Sequence, residues 1–204
     1  MKVVLASRNR HKVIEIAALL AEADLGLALV GIDDLAPGVA LREDEATFAG
    51  NALAKARQAA EATGLPALGD DSGLEVDALG GAPGVWSARY AGEPSDDGRN
   101  NAKLLEALAA VTGPARTARY RCVAAYVDLG RGTAFTTSGA CEGVILTAGR
   151  GSAGFGYDPL FFLPALGRTM AEIDLPEKNR LSHRAAAFRA LSARLRAEIL
   201  PPRR

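Results

Sequence analysis

One stretch, residues 69–92, dominates the interpretation of this chain: GDDSGLEVDALGGAPGVWSARYAG. It opens with two adjacent carboxylates, Asp70 and Asp71, directly after the short apolar run at residues 65–68, and continues into a glycine-rich turn at residues 80–84. A strand that delivers two carboxylates into such a loop can hold Mg²⁺, which takes one or two carboxylates together with phosphate oxygens of a substrate. An acidic turn at the protein surface is the alternative interpretation of the same residues.

The composition is that of an ordinary globular protein. The 204 residues, 49% of them hydrophobic, are enough for one domain with a sizeable core. Because 24 basic residues balance 24 acidic ones, no net charge attracts the protein to nucleic acid or to a membrane, and we expect neither as a partner. No apolar run suits a signal peptide or a membrane span, and the widely spaced Cys122 and Cys141 indicate free thiols of a cytoplasmic protein.

The N-terminal segment predicts a strand, a polar turn and a helix. Residues 2–6 (KVVLA) suit a buried strand, and apolar residues from Val13 onward recur at helical spacing. The turn between them, residues 7–12, then lies at a helix N-terminus, where free N–H groups favour an anion. Ser7 and Asn9 add hydrogen-bonding groups and Lys12 adds a charge. A capped helix with a solvent-facing lysine is the alternative.

A second acidic segment precedes the next predicted helix. Glu43 and two further acidic residues lie just before Thr47, a predicted N-cap, and Asn51 and Lys55 follow one turn apart. The helix should end at residues 63–66, TGLP. Acidic residues in this position usually complement the helix dipole, and the alternative is that one of them is a metal ligand.

The GxGxxG sequence at residues 149–154 does not indicate a dinucleotide site. That fingerprint must open a helix, whereas here it leads into an aromatic, β-prone segment at residues 155–162. Phe155 or Tyr157 could stack on a base. The alternative is an aromatic strand that packs in the core, which we expect for Phe161 and Phe162. Before this loop, residues 117–129, 133–140 and 143–147 predict three strands of a meander.

The last helix is preceded by a cluster of positive charge. Lys178, Arg180, His183 and Arg184 crowd its predicted N-terminus, with Ser182 as the N-cap. Positive charge there opposes the helix dipole. Because such a local conflict suggests a site, we expect an anion or an electron-rich base edge to compensate it.

Five segments together resemble one known family. SRNRHK (7–12), TFAGNALAKA (47–56), residues 69–92, GFGYDPLF (154–161) and EKNRLSHR (177–184) are similar to the inosine triphosphate pyrophosphatases, the non-canonical purine NTP pyrophosphatases. The resemblance covers nearly the whole chain. It implies an α/β protein with an elongated, two-lobed mixed-sheet fold and a cleft between the lobes. Residues 1–204 would form a single catalytic domain.

The resemblance also implies an activity. Members of this family hydrolyse ITP, dITP and XTP to the monophosphate and pyrophosphate with Mg²⁺ as cofactor, which removes deaminated purine nucleotides from the nucleotide pool. They are usually homodimers. We therefore expect purine nucleoside triphosphates as substrates and a second copy of the chain as partner.

Site residues are carried over from the same resemblance. Asp71 is similar to the family's general base and metal-site carboxylate, and Glu43 and Asp70 are the further expected metal ligands. The residues expected to contact the triphosphate are Ser7, Arg8, Asn9, Arg10, His11, Lys12, Asn51 and Lys55. Ser72 follows the aspartate pair at a position expected to contact the substrate. The residues expected around the base are Phe155, Gly156, Tyr157, Asp158, Lys178, His183 and Arg184. Arg8 stands where many relatives have glycine, so the backbone of that loop is expected to differ.

Two other functions suit the same residues. An aspartyl phosphatase would use Asp70 or Asp71 as its nucleophile and would release orthophosphate first. A nucleotide-binding regulator would bind the same ligand without turnover.

Overall fold

The computed structural model describes residues 1–201, which contain seven strands and six α-helices. The strands are β1 (Lys2–Ala6), β2 (Ala28–Gly31), β3 (Ala67–Val76), β4 (Thr117–Asp128), β5 (Thr133–Ile145), β6 (Phe161–Leu163) and β7 (Arg168–Thr169). The helices are α1 (Arg10–Ala23), α2 (Ile32–Leu35), α3 (Phe48–Thr63), α4 (Asp97–Ala107), α5 (Leu175–Leu181) and α6 (His183–Glu198). The sequence predicts a frayed tail at residues 201–204, and residues 202–204 lie outside the described range.

The seven strands form one mixed sheet. Their order is β2-β1-β3-β4-β5-β6-β7. β1 pairs in parallel with β2 and with β3, whereas β6 is antiparallel to β5 and to β7. The α/β class with a mixed sheet, which the sequence predicts, is therefore confirmed. Within residues 1–201, no helix is long and apolar enough to cross a membrane.

The chain divides into two compact units. The first contains Met1–Asp71, Cys122–Gly139 and the C-terminal part from His183 onward. The second contains Ser72–Arg121 and Ala140–Ser182. Strands β3, β4 and β5 each contribute residues to both units.

In the first unit, helices cover both faces of the strands. Successive side chains of a strand point to opposite faces, and β1 shows the consequence. Val3 and Leu5 belong to a core cluster with residues of α1 and α6, whereas Val4 and Ala6 pack with alanines of α3. Cys122 is a free thiol within the first of these clusters, and burial raises its pKa to about 12.

The second unit has a separate core. Leu74 and Val76 of β3 pack with Leu104 and Leu108 from α4 and its end. The rings of Tyr120 and Phe161 add a tilted contact with 4.5 Å between their centroids.

Helix ends follow the predicted signals, but two strands differ from the sequence expectation. The Thr47 side chain accepts a hydrogen bond from the Gly50 N–H, and α3 ends at Gly64 with a positive φ of 69°. β3 runs on through Val76, so its two aspartates lie inside a strand rather than in a turn after it. Residues 143–145 continue β5 and do not form a separate strand. Residues 149–154 form an irregular loop that leads into no helix, as predicted.

A close approach between β5 and α6 generates a test of the packing. A Cβ atom added at Gly139 would lie 2.3 Å from the His183 carbonyl oxygen and 2.5 Å from the Ala187 nitrogen. Because these are backbone atoms, relief requires the helix to shift. We expect Gly139→Ala to lower the free energy of unfolding by about 1–3 kcal/mol, the usual cost of overpacking, measured by urea denaturation.

The matched control is Gly38→Ala. A Cβ atom there meets nothing within 4 Å, and Gly38 has no positive φ. We expect its free energy of unfolding to change by less than about 1 kcal/mol. Equal effects of the two substitutions would contradict the packing argument.

Candidate active site

The polar turn after β1 caps helix α1. Asn9 is the N-cap, and its side-chain oxygen accepts hydrogen bonds from the backbone N–H groups of His11 and Lys12 at 3.0 and 3.2 Å. The predicted helix N-terminus is therefore present, although two of the free N–H groups of the helix already donate to Asn9. Ser7 is partly buried just before the cap, and Arg10 is exposed in the first turn. Contact of this turn with a triphosphate stays a prediction.

Arg8 connects the turn to a later segment. Its Nε donates to the Asp33 carboxylate at 2.8 Å, and its Nη2 donates to the carbonyl oxygens of Pro37 and Val39 at 2.9 and 2.8 Å. The Arg8 side chain is thus held by Asp33, Pro37 and Val39. Its predicted contact with substrate stays a prediction.

Asp70 leaves β3 on the face that α1 and α6 cover. Lys12 Nζ lies 3.1 Å from its Oδ2, and Arg184 Nε and Nη2 each lie 3.4 Å from the same oxygen. The other oxygen, Oδ1, is buried and has no hydrogen-bond partner among residues 1–201. Burial alone raises the pKa of Asp70, but the charges of Lys12, Arg184 and Lys55 outweigh it and hold that pKa well below its usual value. Asp70 is therefore ionised.

Asp71, the next residue, points to the opposite face, which α3 covers. Asn51 Nδ2 donates to its Oδ2 at 3.0 Å, and Lys55 Nζ lies 3.4 Å from its Oδ1. Burial raises the pKa of Asp71, and the negative charge of Glu43 raises it further. The positive charges of Lys55 and Lys12 lower this pKa, but they do not outweigh the other two effects, so the pKa of Asp71 is raised. Adjacent carboxylates whose pKa values are pushed apart take different chemical roles, and the one with the raised pKa suits a general base.

Two residues of α3 hold Asp71 in place. The Asn51 side-chain oxygen accepts from the Glu45 backbone N–H at 2.9 Å, which orients its amide so that the nitrogen faces the carboxylate. Lys55 also forms an ion pair with Glu43. Burial lowers the pKa of Lys55, but the surrounding carboxylates outweigh that effect and raise it, so the ammonium stays charged.

The carboxylates of this group suit a cation whose remaining ligands are phosphate oxygens of a substrate. Among residues 1–201, no three or more His, Cys, Asp or Glu side chains come together as a ready metal site. Mg²⁺ is commonly bound through one or two carboxylates plus substrate phosphates, so such a cage is not required. The Oδ1 atom of Asp70, which has no hydrogen-bond partner within residues 1–201, offers one buried oxygen for such a cation. Glu43, the third predicted ligand, is paired with Lys55, and its metal role stays a prediction.

In the second unit, Asp158 organises the predicted base pocket. The Tyr120 hydroxyl donates to its Oδ1 at 3.0 Å, while Lys178 Nζ at 2.7 Å and the Phe155 backbone N–H at 3.1 Å donate to its Oδ2. The Lys178 ammonium also lies 5.0 Å from the centre of the Phe155 ring. Asp158 therefore orients an ammonium group and an aromatic ring together.

Helix α4 fixes the loop around Gly156. Asp97 accepts from the Gly156 N–H at 2.6 Å, and Asn101 Nδ2 donates to the Gly156 carbonyl at 2.9 Å. The Tyr157 ring is buried in the core and its hydroxyl donates to the Ser87 carbonyl at 2.8 Å. The core interpretation thus holds for this ring, and Phe155 remains the candidate for stacking. The sequence analysis did not identify Asp97 and Asn101, because the loop that they bind lies more than 50 residues away in the sequence.

The basic cluster of the last segment has a different arrangement from the predicted one. Ser182 directly precedes α6, as predicted, but it is also the C-cap of a separate helix, α5, and its N–H donates to the Lys178 carbonyl at 2.9 Å. Lys178 therefore belongs to α5, whereas the buried His183 and Arg184 open α6. Arg184 forms ion pairs with Glu15 and with Asp70, so side chains of the protein itself supply the compensating negative charge.

The predicted residues thus form two groups, one in each unit. The first unit brings together Lys12, Glu43, Asn51, Lys55, Asp70, Asp71 and Arg184. The second unit brings together Phe155, Asp158 and Lys178. Ser72, another predicted site residue, is partly buried and is the residue at which the second unit begins. The sequence reasoning missed Glu15, whose one signal is its position three residues after Lys12 on α1.

Known proteins match this chain over almost its full length. It is 53% identical over 189 residues to a dITP/XTP pyrophosphatase of Desulforamulus reducens, which covers 93% of this chain and 92% of that protein. It is 49% identical over 196 residues to a dITP/XTP pyrophosphatase of Shigella flexneri, which covers 96% of this chain and 98% of that protein.

Solved structures share the fold. A HAM1 protein from Coxiella burnetii superposes with a TM-score of 0.86 at 43% identity, covering 96% of this chain and 98% of that one. A nucleoside-triphosphatase / dITP/XTP pyrophosphatase from Mycobacterium abscessus superposes with a TM-score of 0.75 at 40% identity, covering 94% and 97%. The sequence model of the Ham1 family matches residues 3–194. The chain therefore belongs to the Ham1 family.

Proposed function

We propose that this protein is a Mg²⁺-dependent nucleoside triphosphate pyrophosphatase. It hydrolyses ITP, dITP and XTP to the monophosphate and pyrophosphate and so cleanses the nucleotide pool. The curated relatives, named dITP/XTP pyrophosphatases, support the enzyme class and the substrates. The observation that carries the mechanism is the pair of adjacent aspartates with opposite pKa shifts. The whole chain acts as one catalytic domain, in which the first unit handles the phosphates and the second recognises the base.

Asp71 is the general base. Its raised pKa makes it a better proton acceptor than an ordinary aspartate, and Asn51 and Lys55 hold its carboxylate from α3. It takes a proton from the water that attacks the α-phosphorus. Lys12 and Lys55 offset the negative charge that develops on the leaving pyrophosphate, the electrostatic contribution typical of phosphoryl-transfer enzymes.

Asp70 and Asp71 would hold the divalent cation even though they leave β3 on opposite faces, because they are adjacent and the charges of Lys12 and Lys55 act on both carboxylates. Asp70 is ionised and its Oδ1 is buried with no partner among the described residues, while Asp71 lies next to it in β3. When bound, Mg²⁺ supplies charge neutralisation at the phosphate oxygens. Glu43 could act as a third ligand of the cation only if its ion pair with Lys55 were broken.

Lys178 recognises the base. Inosine and xanthine carry an acceptor oxygen at the purine 6-position, whereas adenine carries a donor amine there. The Lys178 ammonium, held by Asp158 beside the Phe155 ring, can donate to that oxygen. Because Arg184 is engaged with Glu15 and Asp70, we assign this contact to Lys178 rather than to Arg184.

We further propose that the enzyme is a cytoplasmic homodimer without nucleic-acid or membrane partners. The family resemblance supports the dimer, and the free thiols of Cys122 and Cys141 suit a reducing compartment. Sedimentation velocity should give about twice the chain mass of 21.2 kDa. A single species at the mass of one chain would contradict the dimer.

Product analysis with Mg²⁺ tests the reaction. We expect dITP and XTP to yield a monophosphate and pyrophosphate, with little product from dATP or dGTP in parallel. Release of orthophosphate together with a nucleoside diphosphate would contradict this mechanism and would indicate a phosphatase. Binding of dITP without turnover would indicate a regulator.

Asp71→Asn tests the general base in the same assay. We expect kcat to fall by at least about 10²-fold, the usual contribution of a positioned acid–base group. Asp44→Asn removes an exposed carboxylate next to Glu43 and is the control. Near wild-type kcat in a folded Asp71→Asn enzyme would refute the assignment.

Lys178→Met tests base selection. Loss of one charged hydrogen bond, about 1.5–3 kcal/mol, should reduce the preference for dITP over dATP by about 10- to 100-fold in kcat/KM. Lys103→Met is a matched control, since Lys103 is exposed and its ammonium lies 4.5 Å from the centre of the Tyr90 ring. An unchanged preference in a Lys178→Met enzyme that melts like the wild type would disprove the role.

A further inference from the structure

The ring that is the candidate for base stacking lies in a loop with much backbone freedom. Phe155 follows the exposed residues 151–154 and stands between Gly154 and Gly156, whose φ angles are 76° and 63°. Because glycine loses more conformational freedom on ordering than any other residue, fixing such a segment costs entropy. Contacts that order the loop before a base arrives reduce the cost of binding it.

The direction of the Phe155 side chain depends on the two peptide groups that flank its Cα atom. Peptide groups are planar, so holding both planes fixes φ and ψ of the residue between them. The Phe155 N–H, in the first plane, donates to Asp158 Oδ2 at 3.1 Å. The second plane contains the Phe155 carbonyl, which accepts from the Asp158 N–H at 3.2 Å, and the Gly156 N–H, which donates to Asp97 Oδ2 at 2.6 Å. Asp97 is therefore the partner of the second plane that comes from outside the loop.

Helix α4 holds Gly156 by a second contact as well. Asp97 and Asn101 lie one turn apart and therefore on the same face of the helix. Asn101 Nδ2 donates to the Gly156 carbonyl at 2.9 Å, so α4 binds both backbone groups of this glycine. The buried Leu104 packs the same helix into the core of the second unit. The loop is thus tied to an element that the core holds in place.

The helix does not need Asp97 for its own stability in the way that it needs a cap. The N-cap is Asp96, whose side chain accepts from the Arg99 N–H at 2.7 Å. Asp97 is exposed, so it does not fill the core either. Its one printed hydrogen bond is the contact with Gly156, which points to a role in the loop rather than in the helix.

We propose that Asp97 and Asn101 are positioning residues of this enzyme, which act through Gly156 to hold the Phe155 ring in the orientation that stacks on the purine base. The inference rests on the proposed function, because that function gives the ring its role. It adds helix α4 to the elements that serve base recognition.

Asp97→Ala tests the proposal in the dITP assay. We expect KM for dITP to rise about 3- to 30-fold, which is part of the loss expected when a stacking ring is removed. We expect kcat to stay within about twofold, because a ring that contacts the base equally in the bound substrate and in the transition state contributes uniform binding. Asn101→Ala, which removes the second contact, should change KM in the same direction.

A double-mutant cycle with Phe155→Leu separates positioning from a general structural effect. If Asp97 acts through the ring, Asp97→Ala should raise KM in the wild-type background and change it by less than about twofold in the Phe155→Leu background. The same factor in both backgrounds would show that Asp97 does not act through Phe155, and the proposal would be wrong. Asp97→Asn keeps an acceptor oxygen and should recover part of the lost KM.

Amide hydrogen exchange, followed by NMR on the whole protein without substrate, tests the contact itself. In Asp97→Ala the amides of Phe155 and Gly156 should both lose protection, although the Phe155 N–H donates to Asp158 and not to Asp97. Glu106→Ala, which changes an exposed glutamate of the same helix, is the matched control and should leave both amides and the KM for dITP unchanged.

The outcomes distinguish this inference from the proposed function. If the wild type hydrolyses dITP and folded Asp97→Ala and Asn101→Ala both match its KM, only the positioning role fails. Unchanged protection of the Phe155 amide in Asp97→Ala also overturns that role and leaves the reaction untouched. If the wild type does not hydrolyse dITP, the proposed function fails and this inference fails with it.

Discussion

The alternation of side chains along β3 is the constraint on which the candidate site depends. Because Asp70 and Asp71 are consecutive residues of one strand, they leave it on opposite faces. Asp70 meets the cations of α1 and α6, and Asp71 meets the amide and ammonium groups of α3. The same alternation that builds the two core layers of the first unit therefore gives two identical side chains different electrostatic surroundings. One remains ionised and the other has a raised pKa.

Each buried charge in the two groups has a partner within its own unit. Lys178 is held by Asp158, Lys55 by Glu43 and Asp71, and Arg184 by Glu15 and Asp70. Burial makes this pairing a requirement rather than an option, since an isolated charge in a core is far more costly than an exposed one. The pairs also hold long, flexible side chains in defined positions, which is what positioning of a phosphate or a base requires.

Local signals in the sequence predict much of this structure. Thr47 and Gly64 bound α3 as their capping preferences indicate, and the loop at residues 149–154 lacks the helix that a dinucleotide site needs. The extension of β3 through Asp70 was not predictable in this way, because Asp, Ser and Gly favour turns and only pairing with neighbouring strands makes them extended. Glu15 was missed for a related reason: its partner is 169 residues away.

The paired state of the lysines also suggests how a triphosphate and its cation enter together. Lys12 pairs with Asp70, and Lys55 pairs with both Asp71 and Glu43. A triphosphate alone would compete with these carboxylates for the lysines and leave them unpaired in a buried site. A divalent cation alone would displace the ammonium groups. Under the proposed function, a complex of the two would bring phosphates to the lysines and a cation to the carboxylates, so that these ion pairs would be exchanged rather than broken. Under that function, the buried ion pairs would therefore favour a metal–nucleotide complex over either component alone.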